Sequence, residues 1–219
     1  MSGQRDRDKT APIELVLDWD GTVTEVDGLD LVLAEFGDRD IYERVERELG
    51  RTLTLNEVIA GEFATVSAPL DEVVGWLRDR TRVRAGFREL VAEYHPLIVS
   101  SGFHELIEPI LEREGIDAEE VELRANRLDP RPDGWRVRFR DGAACETCGE
   151  PCKRGDLPEG ATVFAGDGYA DQCAALAADR VFATGDLARY LEARSAPYER
   201  FDDFYDIARA MASVTASAS

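Results

Sequence analysis

Three short runs, IELVLDW (13–19), PLIVSS (96–101) and TVFAGD (162–167), are apolar almost throughout and each ends on acids or hydroxyls. A strand with one wet face alternates apolar and polar residues, whereas an unbroken apolar run suits a strand covered on both faces. Strands covered on both faces belong to parallel sheets, and parallel strands need long crossover connections. Helical patterns supply them: Leu106, Ile107, Ile110 and Leu111 share one face after the second run, with Gly115 as a stop. ADQCAALAAD follows the third run. The expected fold class is therefore α/β, an open Rossmann-like parallel sheet with right-handed crossovers.

The stretch from about 25 to 85 breaks this alternation. Leu29, Val32, Leu33 and Phe36 recur at helical spacing, as do Ile41, Val45 and Leu49. A third helix is expected from Thr54, with Glu57 completing a capping box before Leu55, Val58, Ile59 and Phe63. Val73, Val74 and Leu77 mark a fourth. Four helices inserted after the first strand read as a small helical lobe. Residues 121–140 alternate around RPDG and predict a β-hairpin. The expected division is an α/β core over 12–24 and 86–207, a helical insert over 25–85, and loose tails at 1–11 and 208–219.

Bulk properties exclude some partners. The net charge of −19 disfavours nucleic acid and anionic membrane surfaces. No apolar run approaches the roughly 20 residues that span a bilayer, and the segment MSGQRDRDKT lacks a secretory signal's apolar stretch. The cytoplasm is the expected compartment. Oligomeric state leaves no trace in the sequence.

The candidate site lies where the strands end, because ligands of open α/β sheets bind beyond the carboxyl ends of the strands. Asp18 and Asp20, separated by one residue at such an end, project to the same side. Such a pair can hold a hard cation and leave one oxygen free to attack phosphorus. A plain Asp-Gly turn is the bland alternative. Two other strand ends argue against it: Ser100-Ser101-Gly102 offers hydroxyls and backbone N–H groups to a phosphate, and Asp167 and Asp171 add further acid. Lysine occurs only at Lys9 and Lys153, and Lys153 stands fourteen residues before Asp167.

In this order, LVLDWDGT, LIVSS, Lys153 and FAGDGYAD resemble the four motifs of the haloacid dehalogenase superfamily of phosphatases. The resemblance covers nearly the whole chain outside the tails, and the helical insert corresponds to the small cap of the phosphoserine phosphatase-like branch. It implies that Asp18 attacks phosphorus and Asp20 serves as general acid and base, with a pKa raised toward neutrality. It implies Mg²⁺ bound by Asp18, the backbone carbonyl of Asp20 and Asp167. Thr22, Ser100, Ser101, Gly102 and Lys153 would bind the phosphate oxygens, and Asp171 would orient Lys153 or metal-bound water. Asp27 stands where that branch carries an acidic residue toward the substrate.

The expected substrate is a small phosphorylated metabolite. CETCGEPCKRGD, AALAADRVFA and FDDFYDIARAM resemble the methionine-salvage phosphatases of this branch, while phosphocholine and phosphoethanolamine phosphatases share a cysteine-rich approach to the lysine. Phosphoserine is the runner-up, although LNEVIAGEFATV has no arginine to meet a serine carboxylate. A non-catalytic phosphate-binding protein on the same fold would have lost one of these residues, and none is missing. Transfer to an acceptor other than water would use the same residues.

Cys145, Cys148 and Cys152 are spaced C-x2-C-x3-C, unlike the paired C-x2-C of a zinc ribbon. They read as reduced thiols beside Lys153. The alternative is a structural metal whose fourth ligand, Cys173 or a histidine, the sequence alone cannot place. His95 reads as structural and His104 as a residue that can face the site.

Overall fold

A computed structural model describes residues 13–117 and 119–217, with side chains accounted for up to residue 212; the tail expected at 1–11 lies outside the described residues. Six strands form one sheet: β1 (Glu14–Leu17), β2 (Leu97–Phe103), β3 (Glu122–Asp129), β4 (Arg136–Arg138), β5 (Thr162–Gly166) and β6 (Arg180–Ala183). Their order is β4-β3-β2-β1-β5-β6. All neighbours run parallel except β3 and β4, which pair as the expected hairpin with Leu128 opposite Val137. β1 lies at the centre, with β2 on one side and β5 on the other. The chain builds outward from β1 through β2 and β3, then returns to β5. This reversal is the topological switch point at which open α/β sheets bind ligands.

Alternation along β1 assigns the two faces. Leu15 and Leu17 join one apolar cluster, and Val16 joins the other. The smaller cluster packs β5 and β6 against α7 (Gln172–Ala175) and α8 (Gly185–Ala193) through Phe164, Ala174, Ala183 and Leu187. The larger one carries α5 (Phe87–Tyr94), α6 (His104–Arg113) and α9 (Phe204–Ser217).

Between β1 and α5 stand the expected four helices: α1 (Gly28–Phe36), α2 (Arg39–Glu46), α3 (Leu55–Phe63) and α4 (Leu70–Arg80). Each of the first three begins at a side-chain cap. Asp27 accepts from Leu29 N and Asp30 N, Asp38 from Asp40 N and Ile41 N, and Thr54 forms its capping box with Glu57. Val32, Ile59, Phe63, Val73 and Leu77 belong to the same apolar cluster as the sheet's Ile98 and Phe103. Phe63 meets Phe103 edge to face, ring centroids 4.7 Å apart. The hairpin grips the insert as well, since Trp135 donates from its backbone to Val66 O at 2.9 Å and from Nε1 to Ala68 O at 3.0 Å.

Two local readings need correction. The segment from 208, expected as a loose tail, is helical through Ser217. Phe204, Ile207 and Met211 recur at helical spacing and are buried, and Phe204 packs on Phe87 at 5.3 Å between centroids. The helix in ADQCAALAAD shrinks to the four residues of α7. Residues 176–179 form turns and bends instead and lead directly into β6.

Candidate active site

At the end of β1 the backbone leaves the sheet at Asp18 and turns through Trp19–Val23. Trp19 is buried and packs edge-on against Phe87, so Asp18 and Asp20 are left on the opposite side. Gly21 adopts φ +75°, and a Cβ there would collide with the carboxylate of Asp167. Glycine at this position lets the first and last acidic loops touch. Arg84 holds the turn in place, donating to Thr22 O and Gly21 O, both at 2.9 Å, and to Asp202 O at 2.9 Å.

The buried Lys153 ammonium donates to Asp18 Oδ1 and, at 2.7 Å, to Asp171 Oδ1. The other oxygen of Asp171 accepts from Asp167 N at 3.0 Å and Gly168 N at 2.9 Å. Asp171 is therefore fully used in holding the lysine and the turn that carries Asp167. Thr22 Oγ1 donates to Asp167 Oδ1 at 3.2 Å. Carboxylate oxygens of Asp18, Asp167 and Asp171 all lie within 4.8 Å of one another. This separation suits a shared cation, and hard carboxylate oxygens are what Mg²⁺ selects. Asp20 points the other way along the same wall, accepting from Gly28 N at 3.0 Å.

Crowding of buried acids shifts their protonation. Burial, then the charge of Asp171, raises the Asp18 carboxyl well above the usual range, with Lys153 opposing. Burial and Asp27 raise Asp20 likewise, against the Gly28 N–H. Asp27 and Asp167 are each pushed up to about 6, mainly by burial, with Asp30 acting on the first and Asp171 on the second. For Lys153, burial pulls downward, but Asp171 and Asp18 outweigh it and keep the amine charged.

These groups open onto a cavity of about 410 Å³. Asp18, Asp20, Ser101, Gly102, Lys153 and Asp167 line its floor. Leu29, Leu33, Leu49, Leu55 and Ile59 make an apolar wall from the inserted helices, alongside Asp27, Asp30, Glu46 and Glu62. Thr22 and Ser100, expected to bind phosphate, stand behind the floor rather than in it. The Thr22 hydroxyl is turned to Asp167, and Ser100 Oγ accepts from Gly102 N at 2.8 Å. Asp27 reaches the wall while capping α1. His104 pairs with Glu108 at 2.7 Å, away from the cavity, and His95 ends α5 at φ 45°.

Three positioning residues escaped the sequence. Arg84 is one of many arginines. Asn126 donates to Ser101 O at 2.7 Å and accepts from Arg140 N at 3.0 Å. Glu150 accepts from Leu55 N and Asn56 N at 2.9 and 3.3 Å, joining the loop before Lys153 to the start of α3. None carries a local pattern that marks it.

The family model for haloacid dehalogenase-like hydrolases matches residues 15–176, from β1 through α7. The chain belongs to this family. A 2-hydroxy-3-keto-5-methylthiopentenyl-1-phosphate phosphatase of Geobacillus kaustophilus is 30% identical over 216 residues, covering 92% of this chain and 96% of that protein. Its counterpart in Geobacillus thermodenitrificans is 30% identical over 207 residues, covering 88% and 92%. Among solved structures, a phospho-aspartyl intermediate analogue of phosphoserine phosphatase superposes with a TM-score of 0.65 at 20% identity, covering 91% of this chain and 99% of that one. That likeness establishes the fold. As a member of the haloacid dehalogenase-like family with phosphatase relatives, the chain is a phosphoric monoester hydrolase acting on a small phosphorylated substrate. No helix among the described residues is long and apolar enough to cross a membrane.

Proposed function

We propose that the chain is a Mg²⁺-dependent phosphatase working through a phosphoryl group carried on Asp18. The observation that carries this reading is the convergence of Asp18, Asp167 and Lys153 on the cavity floor, with Asp20 beside them. Asp18 and Asp167, with the carbonyl of Asp20, would hold the cation, which offsets the charge of phosphate and carboxylate as they meet. Lys153 keeps Asp18 oriented and draws it toward its ionised, nucleophilic form. Ser101, Gly102 and Lys153 offer donors to the equatorial oxygens. Asp20 has the raised pKa an acid needs to protonate the leaving alcohol, and once ionised it can take a proton from the attacking water. Asp171 serves the reaction through Lys153 and the Asp167 turn.

For the substrate, the apolar wall and the name borne by the relatives support a 2-hydroxy-3-keto-5-methylthiopentenyl-1-phosphate. Its thioether tail is uncharged and its hydroxyl and ketone are small. Among the described residues, Lys153 is the one cation lining the cavity. A phosphoserine carboxylate would face Asp27, Asp30, Glu46 and Glu62 with no arginine in reach. The same four acids support a second reading, a substrate bearing a positive amine such as phosphoethanolamine or phosphocholine.

The test is phosphate release from a panel of these compounds, with Mg²⁺ and with EDTA, for wild type and Asp18→Asn. Metal-dependent release confined to the wild type supports the mechanism, and the preferred compound selects the substrate. Release that survives in Asp18→Asn, or is indifferent to EDTA, sinks it.

A further inference from the structure

The four cysteines of the chain, none of them in a disulfide, converge although the sequence separates Cys173 from Cys152 by twenty-one positions. The sulfurs of Cys145, Cys148, Cys152 and Cys173 all lie within 4.8 Å of one another. Four thiolates about 2.3 Å from a zinc ion in a tetrahedron stand roughly 3.8 Å apart.

The backbone has the form a metal knuckle needs. Cys145 N donates to Glu150 O at 3.0 Å, and Gly149 N donates back to Cys145 O at 2.8 Å. Gly149 takes φ +83°, closing the turn after Cys148 so that both sulfurs of the C-x2-C pair face one point. Thr147 N points at Cys145 Sγ from 3.4 Å, the N–H···S contact that stabilises a thiolate ligand.

The segment is tied to its surroundings near its two ends, where Arg140 N donates to Asn126 Oδ1 and Glu150 accepts from the start of α3. Residues 139–152 contain no helix or strand, and 141–144 and 146–149 are exposed. A loop this long usually needs a clasp to take one conformation. The cysteines are spaced to provide it, since Cys152 immediately precedes Lys153 and Cys173 follows Asp171 by two residues.

We propose that Cys145, Cys148, Cys152 and Cys173 bind one structural zinc ion, which clips the loop carrying Lys153 to the start of α7. The site is closed, with four protein ligands and no open position, so its role is structural. It is separate from the carboxylate site, where soft thiolates take no part. The zinc holds the backbone on both sides of the Lys153–Asp171 ion pair.

The experiment is elemental analysis of wild-type protein purified reduced, without chelator, from zinc-supplemented culture, paired with thiol titration under native conditions. The expected result is about one zinc per chain, with the four thiols reacting slowly until a strong chelator is added. Cobalt exchanged into the site should show thiolate-to-metal charge transfer and the visible bands of a tetrahedral centre. Cys173→Ser should lose most of its zinc on dialysis. Where that variant fails to fold, metal content and cobalt spectrum of the wild type decide alone. Protein that folds with no stoichiometric metal and four freely reactive thiols overturns the proposal. So does stoichiometric iron with sulfide, or a thiol count lowered by disulfides.

Discussion

Lys153 Nζ lies 2.7 Å from Asp171 Oδ1 while also donating to Asp18, so one buried ammonium is divided between two buried carboxylates. The division sets the lysine's place. Asp171 is fixed from behind by the Asp167 and Gly168 N–H groups, and it therefore anchors Lys153 against Asp18. Breaking a buried pair leaves an unpaired charge, which costs about 3–5 kcal/mol.

Asp171→Asn keeps the shape of the side chain and removes its charge. The expected outcome is a fall of roughly 10–100-fold in kcat/KM, the range typical of groups that orient catalytic ligands. Weaker retention of Mg²⁺, followed by a metal titration of activity, should accompany it. An unchanged metal titration with unchanged rate would mean that Lys153 needs no anchor.

Asp20→Asn should separate the two halves of the reaction. With an alkyl phosphate, loss of the acid should lower kcat by roughly 10²–10⁴-fold. A nitrophenyl phosphate needs no protonation of its leaving group, so its first step should survive. The expected signature is a rapid burst of nitrophenolate followed by slow turnover, read by stopped flow. Equal losses for both substrates without a burst would remove Asp20 from the acid role.

Glu62 is nearly fully buried in the cavity wall, with Oε1 lacking a hydrogen-bond partner among the described residues. Burial, then Glu46, Asp30 and Asp27, pushes its pKa up to about 8 from an ordinary value of 4.5. Folding thus favours its protonated form. That contribution to stability is complete below pH 4.5 and fades as the pH rises through about 8. Wild-type stability should therefore fall between about pH 4.5 and 8 relative to Glu62→Gln and run level with it above that. Urea unfolding of both proteins across that range measures it. Parallel curves would show that Glu62 is already ionised in the folded protein.

The strands that carry the chemistry were legible because each is a continuous apolar run ending in functional residues, a pattern local enough to read directly. The insert was legible for the same reason, as its helices announce themselves through periodicity and through the Thr54–Glu57 capping box. What escaped depends on contacts between distant segments. Arg84 reaches the Asp18 turn across 62 positions, and Glu150 caps α3 from 95 positions away. The behaviour of Thr22 and Ser100 was hidden too, because their nearest partners are set by how β1, β2 and β5 register. Met211 looked like part of a tail because its burial requires α5 beneath it.

Trapping the phosphorylated enzyme tests the central claim most directly. Borohydride added during turnover reduces an acyl phosphate on aspartate to homoserine, which peptide mass spectrometry locates. The expected result is homoserine at position 18, dependent on substrate and absent from Asp18→Asn. Reduction at another carboxylate, or steady turnover with Asp18 never modified, would contradict an Asp18-borne phosphoryl group.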